Sequence, residues 1–226
     1  MSSSGSPAER PGKKNDQIIS YYTLRVLIGA AGILLPLFLV VAKFIAEGSL
    51  KLEFSISDYY NNSSAGDVLV GILFALAFFL FSYKGYDKLD QRTALTGSIS
   101  ALGVALFPTT SANELVSHLH LVFALLLFSV FIFFSVYLFR KKSPGTATTA
   151  QKEKRNTIYL ICGIIMIGCI AAITLCFLWL GTAAKKYNLV FWLETVALAS
   201  FGISWITKSE FLYLRDADNK EQKEKF

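Results

Sequence analysis

Charge is scarce in this chain, and its scarcity excludes more than any motif does. Of 226 residues, 17% are charged and two are histidine, against 54% hydrophobic and 14% aromatic. The mean hydropathy of +0.49 lies well outside the soluble globular range. The longest polar connection, residues 141–155, is too short to bury a core of its own. Any activity must therefore reside among apolar segments. There is no Walker sequence, GxSxG, HExxH, DEAD-type or Rossmann loop, so the known nucleotide-driven and serine-hydrolase machineries find no support. Cysteine is also rare: Cys162, Cys169 and Cys176 recur every seven residues within one apolar run. Two heptad steps drift by only about 40° on an ideal helix, so the three share a face. Their spacing forbids disulfides and the run lacks companions for a metal, which leaves them as small buried hydrophobes. No redox compartment follows from them. No internal repeat is evident, and the basic loop falls after the fourth apolar stretch rather than midway, which disfavours an inverted-repeat transporter.

What the chain has instead is six apolar stretches of bilayer length. A spanning helix needs roughly 20 apolar residues, because the hydrocarbon core is about 30 Å thick and each residue rises about 1.5 Å. The reading is an all-α polytopic membrane helix bundle with six transmembrane helices, near residues 22–46, 67–84, 93–107, 112–140, 157–181 and 187–210. Residues 1–20 form a disordered cytoplasmic N-terminus, 21–210 the bundle and 211–226 a charged cytoplasmic tail. The first apolar run begins beyond residue 20 and is too long for a signal peptide. Pro36 should kink the first helix. Between the first two helices, Leu50, Leu52, Phe54 and Ile56 alternate with polar residues, predicting a short extended or interfacial segment. Gly97, Ser98, Ala101, Gly103 and Ala105 allow close backbone approach, which predicts a central third helix.

The cations orient the bundle. Of the 22 Lys and Arg, 18 fall at alternate connections, leaving Lys43, Lys51, Lys185 and Lys186 opposite. The positive-inside bias then puts both termini in the cytoplasm. The net charge of +6 lies beside membrane segments, where anionic headgroups account for it, so nucleic acid is not an expected partner. Arg140, Lys141 and Lys142 read as a lipid anchor. Lys84, Arg92, Lys208 and Glu210 read as headgroup contacts and local ion pairs. The expected partners are membrane lipids, with a second copy or another membrane protein beside them. Asn61 and Asn62 each head a glycosylation sequon.

At the opposite mouth stand Asp58, Tyr59, Tyr60, Asp67, Thr109, Thr110, Glu114, His118, His120 and, deeper, Glu194. Converging carboxylates and imidazoles could hold a divalent metal or supply an acid and a base. No cofactor is assigned. Glu114 and His118 share a helical face, whereas His118 and His120 diverge by about 200°. His118 is taken as the inward one, because it lies over Glu114 and above Leu121 and Leu125. Each residue also has a structural reading: Glu114 closing a capping box with Ser111, the histidines bonding water or headgroups, Asp58 capping a turn, and Tyr59 and Tyr60 as interfacial anchors. Glu194 lies roughly 10 Å below the outer end of its helix, too deep to snorkel. An intramembrane carboxylate costs about 2.5 kcal/mol or more unless neutral or paired, which makes it a functional candidate by default. Its structural alternative is a neutral Glu bonded to a Tyr, Thr or His.

The stretches ISDYYNNSSAGDVLVGILFALAFFLFSYKGYD, ALFPT and FWLETVALASFGISWITKSE resemble a bacterial family of six-helix integral membrane proteins of unknown function. The resemblance covers residues 20–212 and implies the inner (plasma) membrane. A fainter similarity is to seven-helix membrane hydrolases that include alkaline ceramidases and adiponectin receptors, which set Ser, Asp and three His around zinc. This chain departs from them, with two histidines and no HxxxH. The leading expectation is a pocket with Glu194 as floor, His118 and Glu114 as wall, and Asp58, Tyr59 and Tyr60 as lid. It would bind or sense a small polar ligand or a lipid headgroup. One alternative is a lipid-acting hydrolase with Glu194 or Asp58 as base and His118 as acid. Another is a proton-coupled transporter that passes protons from Glu194 toward Ser200, Ser204 and Thr207.

Overall fold

Helix termini along the chain are set by identifiable local chemistry. In the computed structural model, residues 21–85, 87–109, 113–141 and 149–209 are described. The expectations for the two tails and for Thr110, Ser111, Lys142 and Glu210 lie outside them. Helix α1 (Tyr21–Glu47) runs unbroken through Pro36. It ends where Gly48 turns left-handed at φ 66° and returns its N–H to the Phe44 carbonyl at 2.8 Å, as glycine after a last turn does. Helix α2 (Ser63–Ser82) follows, then α3 (Lys88–Leu106), whose N-cap Asp87 accepts from the Asp90 N–H. Asn113 caps α4 (Glu114–Val136) by accepting from the Leu115 N–H. Thr149 does the same for α5 (Ala150–Leu175), which continues as a π turn (Cys176–Leu180) and α6 (Gly181–Lys186). Asn188, at φ 49°, makes the left-handed corner before α7 (Leu189–Lys208), a conformation asparagine tolerates.

Among the described residues the chain is helical and has no strand. The period-two segment before residue 57 is not a ladder. Its Phe54 carbonyl instead accepts from the Phe191 N–H at 2.9 Å, and the Phe54 ring meets Phe177 edge-on at 5.8 Å. The alternation thus seats a loop on the start of α7, and a 3₁₀ helix (Ser57–Asn61) completes it.

Five segments are long and apolar enough to cross a membrane: α1, α2, α4, the α5–α6 run and α7. Helix α3 falls short because it opens with Lys88, Asp90, Gln91 and Arg92. Nor is α3 central. Its small buried face, Gly97, Ser98, Ala101, Gly103 and Ala105, packs on α2 and α4, while α7 packs against α1, α4, α5 and α6. Small residues matched to two neighbours do not require a third.

Near the end of α7, Trp205 is fully buried, with the rings of Tyr83, Phe134 and Phe139 each 5.1 Å away. The three cysteines are buried along α5 and the π turn, in keeping with their shared face. Large apolar side chains such as Phe78, Phe81, Ile164 and Trp179 stay exposed on the outside of the bundle. That is the distribution a hydrocarbon surround favours.

Alternation of direction places the start of α1 beside the end of α7, where an Arg25 guanidinium N–H donates to the Lys208 carbonyl at 3.1 Å. On this same end Lys141 pairs with Asp87 at 2.8 Å and with the buried Asp90 at 2.7 Å. The hydrogen bond from Lys141 holds the Asp87 carboxyl below the usual carboxylate range. A depressed folded pKa contributes stability that is present above the ordinary range and lost as pH falls through the depressed value. Lys141→Ala should therefore destabilise this end at neutral pH, and by less in acid, where Asp87 is protonated and the pair no longer contributes. Denaturation series at neutral and acidic pH check this, since the variant should lose less stability on acidification than the parent.

Candidate functional site

Residues 55–58, between α1 and α2, gather the polar groups of the opposite end. The Ile56 N–H donates to Glu194 Oε2 at 2.6 Å. The Ser57 hydroxyl meets His120 Nε2 at 3.1 Å, and the Ser57 carbonyl accepts from Thr109 Oγ1 at 3.4 Å. Ser55 and Asp58 bond reciprocally: the Ser55 N–H donates to Asp58 Oδ2 at 3.2 Å and the Asp58 N–H to Ser55 Oγ at 3.1 Å. That reciprocity has the logic of a capping box. It gives Asp58 the turn role foreseen as its structural reading. Burial raises the Asp58 carboxyl pKa, and the two bonds to Ser55 partly offset the rise.

Glu194 partners a backbone amide from this loop, rather than a Tyr, Thr or His. Beside it lies a cavity of about 70 Å³, room for more than one water by the usual volumes. Its walls are apolar, with Ala31 and Leu35 of α1, Leu73 of α2, Leu127 and Phe131 of α4, and Ser57 and Glu194 as the polar exceptions. Gly32 is needed here: a Cβ would meet the Phe201 ring at 2.7 Å and the Leu198 carbonyl at 3.2 Å, so its absence lets α1 close over α7 beside the cavity.

The histidines exchange their expected places. His118 is exposed, as is Glu114, and His118 Nδ1 sits 2.7 Å from the Glu114 carbonyl of its own helix. No wall forms from that pair. Asn113 holds the N-cap of α4; the capping box expected of Ser111 with Glu114 lies outside the described residues. His120 is the inward histidine, 4% exposed, with Nδ1 2.6 Å from the Phe107 carbonyl. A carbonyl only accepts, so the Nδ1 must carry the proton, and the Nε2 of a neutral ring presents its lone pair to the Ser57 hydroxyl.

The expected lid is part of the core instead. Tyr59 is fully buried, tilted on Phe191 at 6.0 Å, with Lys43 Nζ 5.8 Å from its ring centre. Burial raises the Tyr59 phenol. Lys43 is itself buried; it pairs with Glu53 and donates to the Lys51 carbonyl at 3.0 Å. Tyr60 is half-buried, and its carbonyl lies against Gly66, where a Cβ would come within 2.5 Å of it. Asp67 is exposed. Of the expected site residues, the loop therefore brings together Glu194, Asp58, Thr109 and His120, and adds Ser57, which no sequence pattern singles out. Among the described residues no group of three or more His, Cys, Asp and Glu could hold a metal ion.

No family model, curated protein or solved structure matches the chain. The resemblance drawn above rests on its quoted residues alone.

Proposed function

We propose that this chain is an integral membrane protein that binds an amphipathic ligand at the end opposite its termini. The ligand's polar group, a small polar molecule or lipid headgroup, meets Glu194 and Ser57, and its apolar part enters the cavity beneath. The observation that carries the reading is the composition of that cavity: apolar walls from several helices, ending in a carboxyl and a hydroxyl. Apolar pockets with few convergent polar groups are the usual form of a ligand site. In this reading α3 is a sixth crossing. Its 19 residues reach about 28 Å, and α2 and α4 shield its small-residue face. The charge pattern then sets both termini in the cytoplasm and the pocket outside, and the bacterial resemblance assigns the inner membrane.

Proton-coupled transport is less well supported. Below Glu194 the Ser200 hydroxyl bonds back to the Val196 carbonyl at 2.9 Å, and Ser204 bonds Ser135 at 2.8 Å. One hydroxyl is engaged within α7 and the other with α4.

The test is lipid analysis of protein purified in nanodiscs beside a Glu194→Gln variant. Bound amphiphile should fall about tenfold in affinity, since a hydrogen bond to a charged or strongly polar group contributes about 1.5 kcal/mol. Leu127→Trp, which fills the cavity, should displace it altogether. Unchanged bound lipid in both variants would overturn the reading.

A further inference from the structure

We propose that Ser57 is an acyl-transfer nucleophile with His120 as its general base, acting on an ester of an amphipathic lipid, the first carbons of whose acyl chain enter the cavity. The inference rests on the reading of that cavity as a ligand site. It starts from three atoms. The Phe107 carbonyl, 2.6 Å from His120 Nδ1, fixes the tautomer and the ring plane. The free Nε2 lone pair then faces Ser57 Oγ at 3.1 Å. Nucleophile, base and a third group orienting the base are the arrangement by which an otherwise weak hydroxyl is activated. Here a backbone carbonyl takes the orienting place. The three residues come from three separate parts of the chain: Ser57 opens the 3₁₀ helix, Phe107 follows α3 and His120 lies in the second turn of α4.

Two surroundings favour chemistry over a simple tie. The imidazole is almost wholly buried, so bulk water does not compete for Nε2. Ser57 is half-buried and lines the cavity of about 70 Å³ with Glu194, so the first carbons of an acyl chain seated between the apolar walls would bring the ester carbonyl to its hydroxyl. Glu194, bonded to the adjacent Ile56 amide, acts as a positioning residue that holds the loop.

In the reaction, Ser57 Oγ attacks the ester carbonyl carbon while its proton passes to His120 Nε2. The tetrahedral intermediate collapses with cleavage of the bond between that carbon and the leaving oxygen, which takes the proton back from Nε2. Water then attacks the acyl-serine, giving its proton to Nε2. The carbon–Oγ bond breaks, Ser57 recovers the proton, and a fatty acid leaves.

The probe is an alkyl fluorophosphonate presented to the full chain in nanodiscs. Attack forms an Oγ–phosphorus bond, fluoride leaves and the proton goes to Nε2. Peptide mapping by mass spectrometry should find the adduct on Ser57 and none in Ser57→Ala. His120→Gln can still bond both the Phe107 carbonyl and the Ser57 hydroxyl but cannot take a proton. Its labelling rate should fall about 10²–10⁴-fold, and a fall of under about threefold would show a structural tie only. Wild-type protein supplies a measurement independent of variant folding: a long-chain probe should label faster than a methyl one. No adduct on wild-type Ser57 overturns the proposal, and the binding reading still stands if bound lipid depends on Glu194. An adduct without chain-length preference removes the cavity as the chain's seat, and with it the substrate class.

Discussion

Gly202→Leu is expected to cost at least about 3 kcal/mol of bundle stability, at the upper end of what overpacking does in a tight interface. Helices α1 and α7 meet through two glycines. A Cβ on Gly29 would lie 2.6 Å from the Gly202 carbonyl and 2.7 Å from Ile206 Cγ1, and a Cβ on Gly202 would run into the Gly29 carbonyl and Ile33. Both nearest atoms are backbone, so no rotamer change relieves the clash and the helices must separate. In lipid, tight packing of small residues is what holds helices together, since the hydrocarbon around them is as apolar as leucine. Separation would also open the wall that Gly32, one turn along α1, closes beside the cavity. Gly202→Ala should lie between the parent and the leucine variant. Gly168→Ala is the control: nothing lies within 4 Å of its Cβ position, so alanine should be neutral or gain up to about 1 kcal/mol of helix propensity. Unfolding in mixed micelles ranks the four proteins. A leucine variant as stable as the parent would mean that α1 and α7 do not meet through these glycines.

The same physics explains which parts of the fold were legible. Apolar runs of bilayer length mark helices whatever their neighbours, so five segments and the all-helical class could be read directly. The third stretch, shorter and containing Gly and Ser, reads as a crossing when it is taken from Thr93, whereas the helix starts at Lys88 with its capped, charged turn. Inward faces were harder. In water, apolar periodicity points to the core, but a helix in lipid is apolar on every side, so the pattern carries no direction. Glu114, Leu121 and Leu125 along one stripe point to His118, yet Glu114 is exposed, those leucines are 53% and 46% exposed, and that stripe faces outward. The signal that favours His120 is tertiary: a carbonyl at the end of α3 and a hydroxyl 63 residues away, neither visible as spacing. Asp58 was legible as a turn residue, and Ser55-x-x-Asp58 carries a box-like signature that names its partner. Glu194 could be singled out by depth alone, but its partner is a backbone amide, a group every residue has, so no side-chain motif announces it.

That amide sets up the second large effect. Ile56→Pro is expected to cost about 3 kcal/mol, mostly by stranding Glu194. Proline fits the local backbone: Ile56 already has φ −61° and ψ −39°, close to the ring's fixed φ. It follows the Ser55 carbonyl, which accepts from the Asp58 N–H at 3.3 Å, and so occupies the turn position where proline is favoured. The reciprocal bonds of Ser55 and Asp58 do not use the Ile56 N–H. What disappears is the one donor 2.6 Å from Glu194 Oε2. The walls next to Glu194 are otherwise apolar, and their one hydroxyl, Ser57, is engaged with His120 Nε2; an unsatisfied buried polar group costs about 1–3 kcal/mol, more if charged. The lost isoleucine packing is matched by Ile56→Val, expected at about 0.5–1.5 kcal/mol. A cycle with Glu194→Met separates the two contributions. In that background the acceptor is gone, and Ile56→Pro should cost no more than Ile56→Val does in the parent, leaving a coupling of about 1.5–2.5 kcal/mol between residues 56 and 194. If proline costs no more than valine in the parent itself, the amide does not hold Glu194. The loop that presents Ser57 to His120 would then be held by its other ties, among them the Ser55–Asp58 pair, the Phe54–Phe191 backbone bond and the Thr109 hydroxyl on the Ser57 carbonyl.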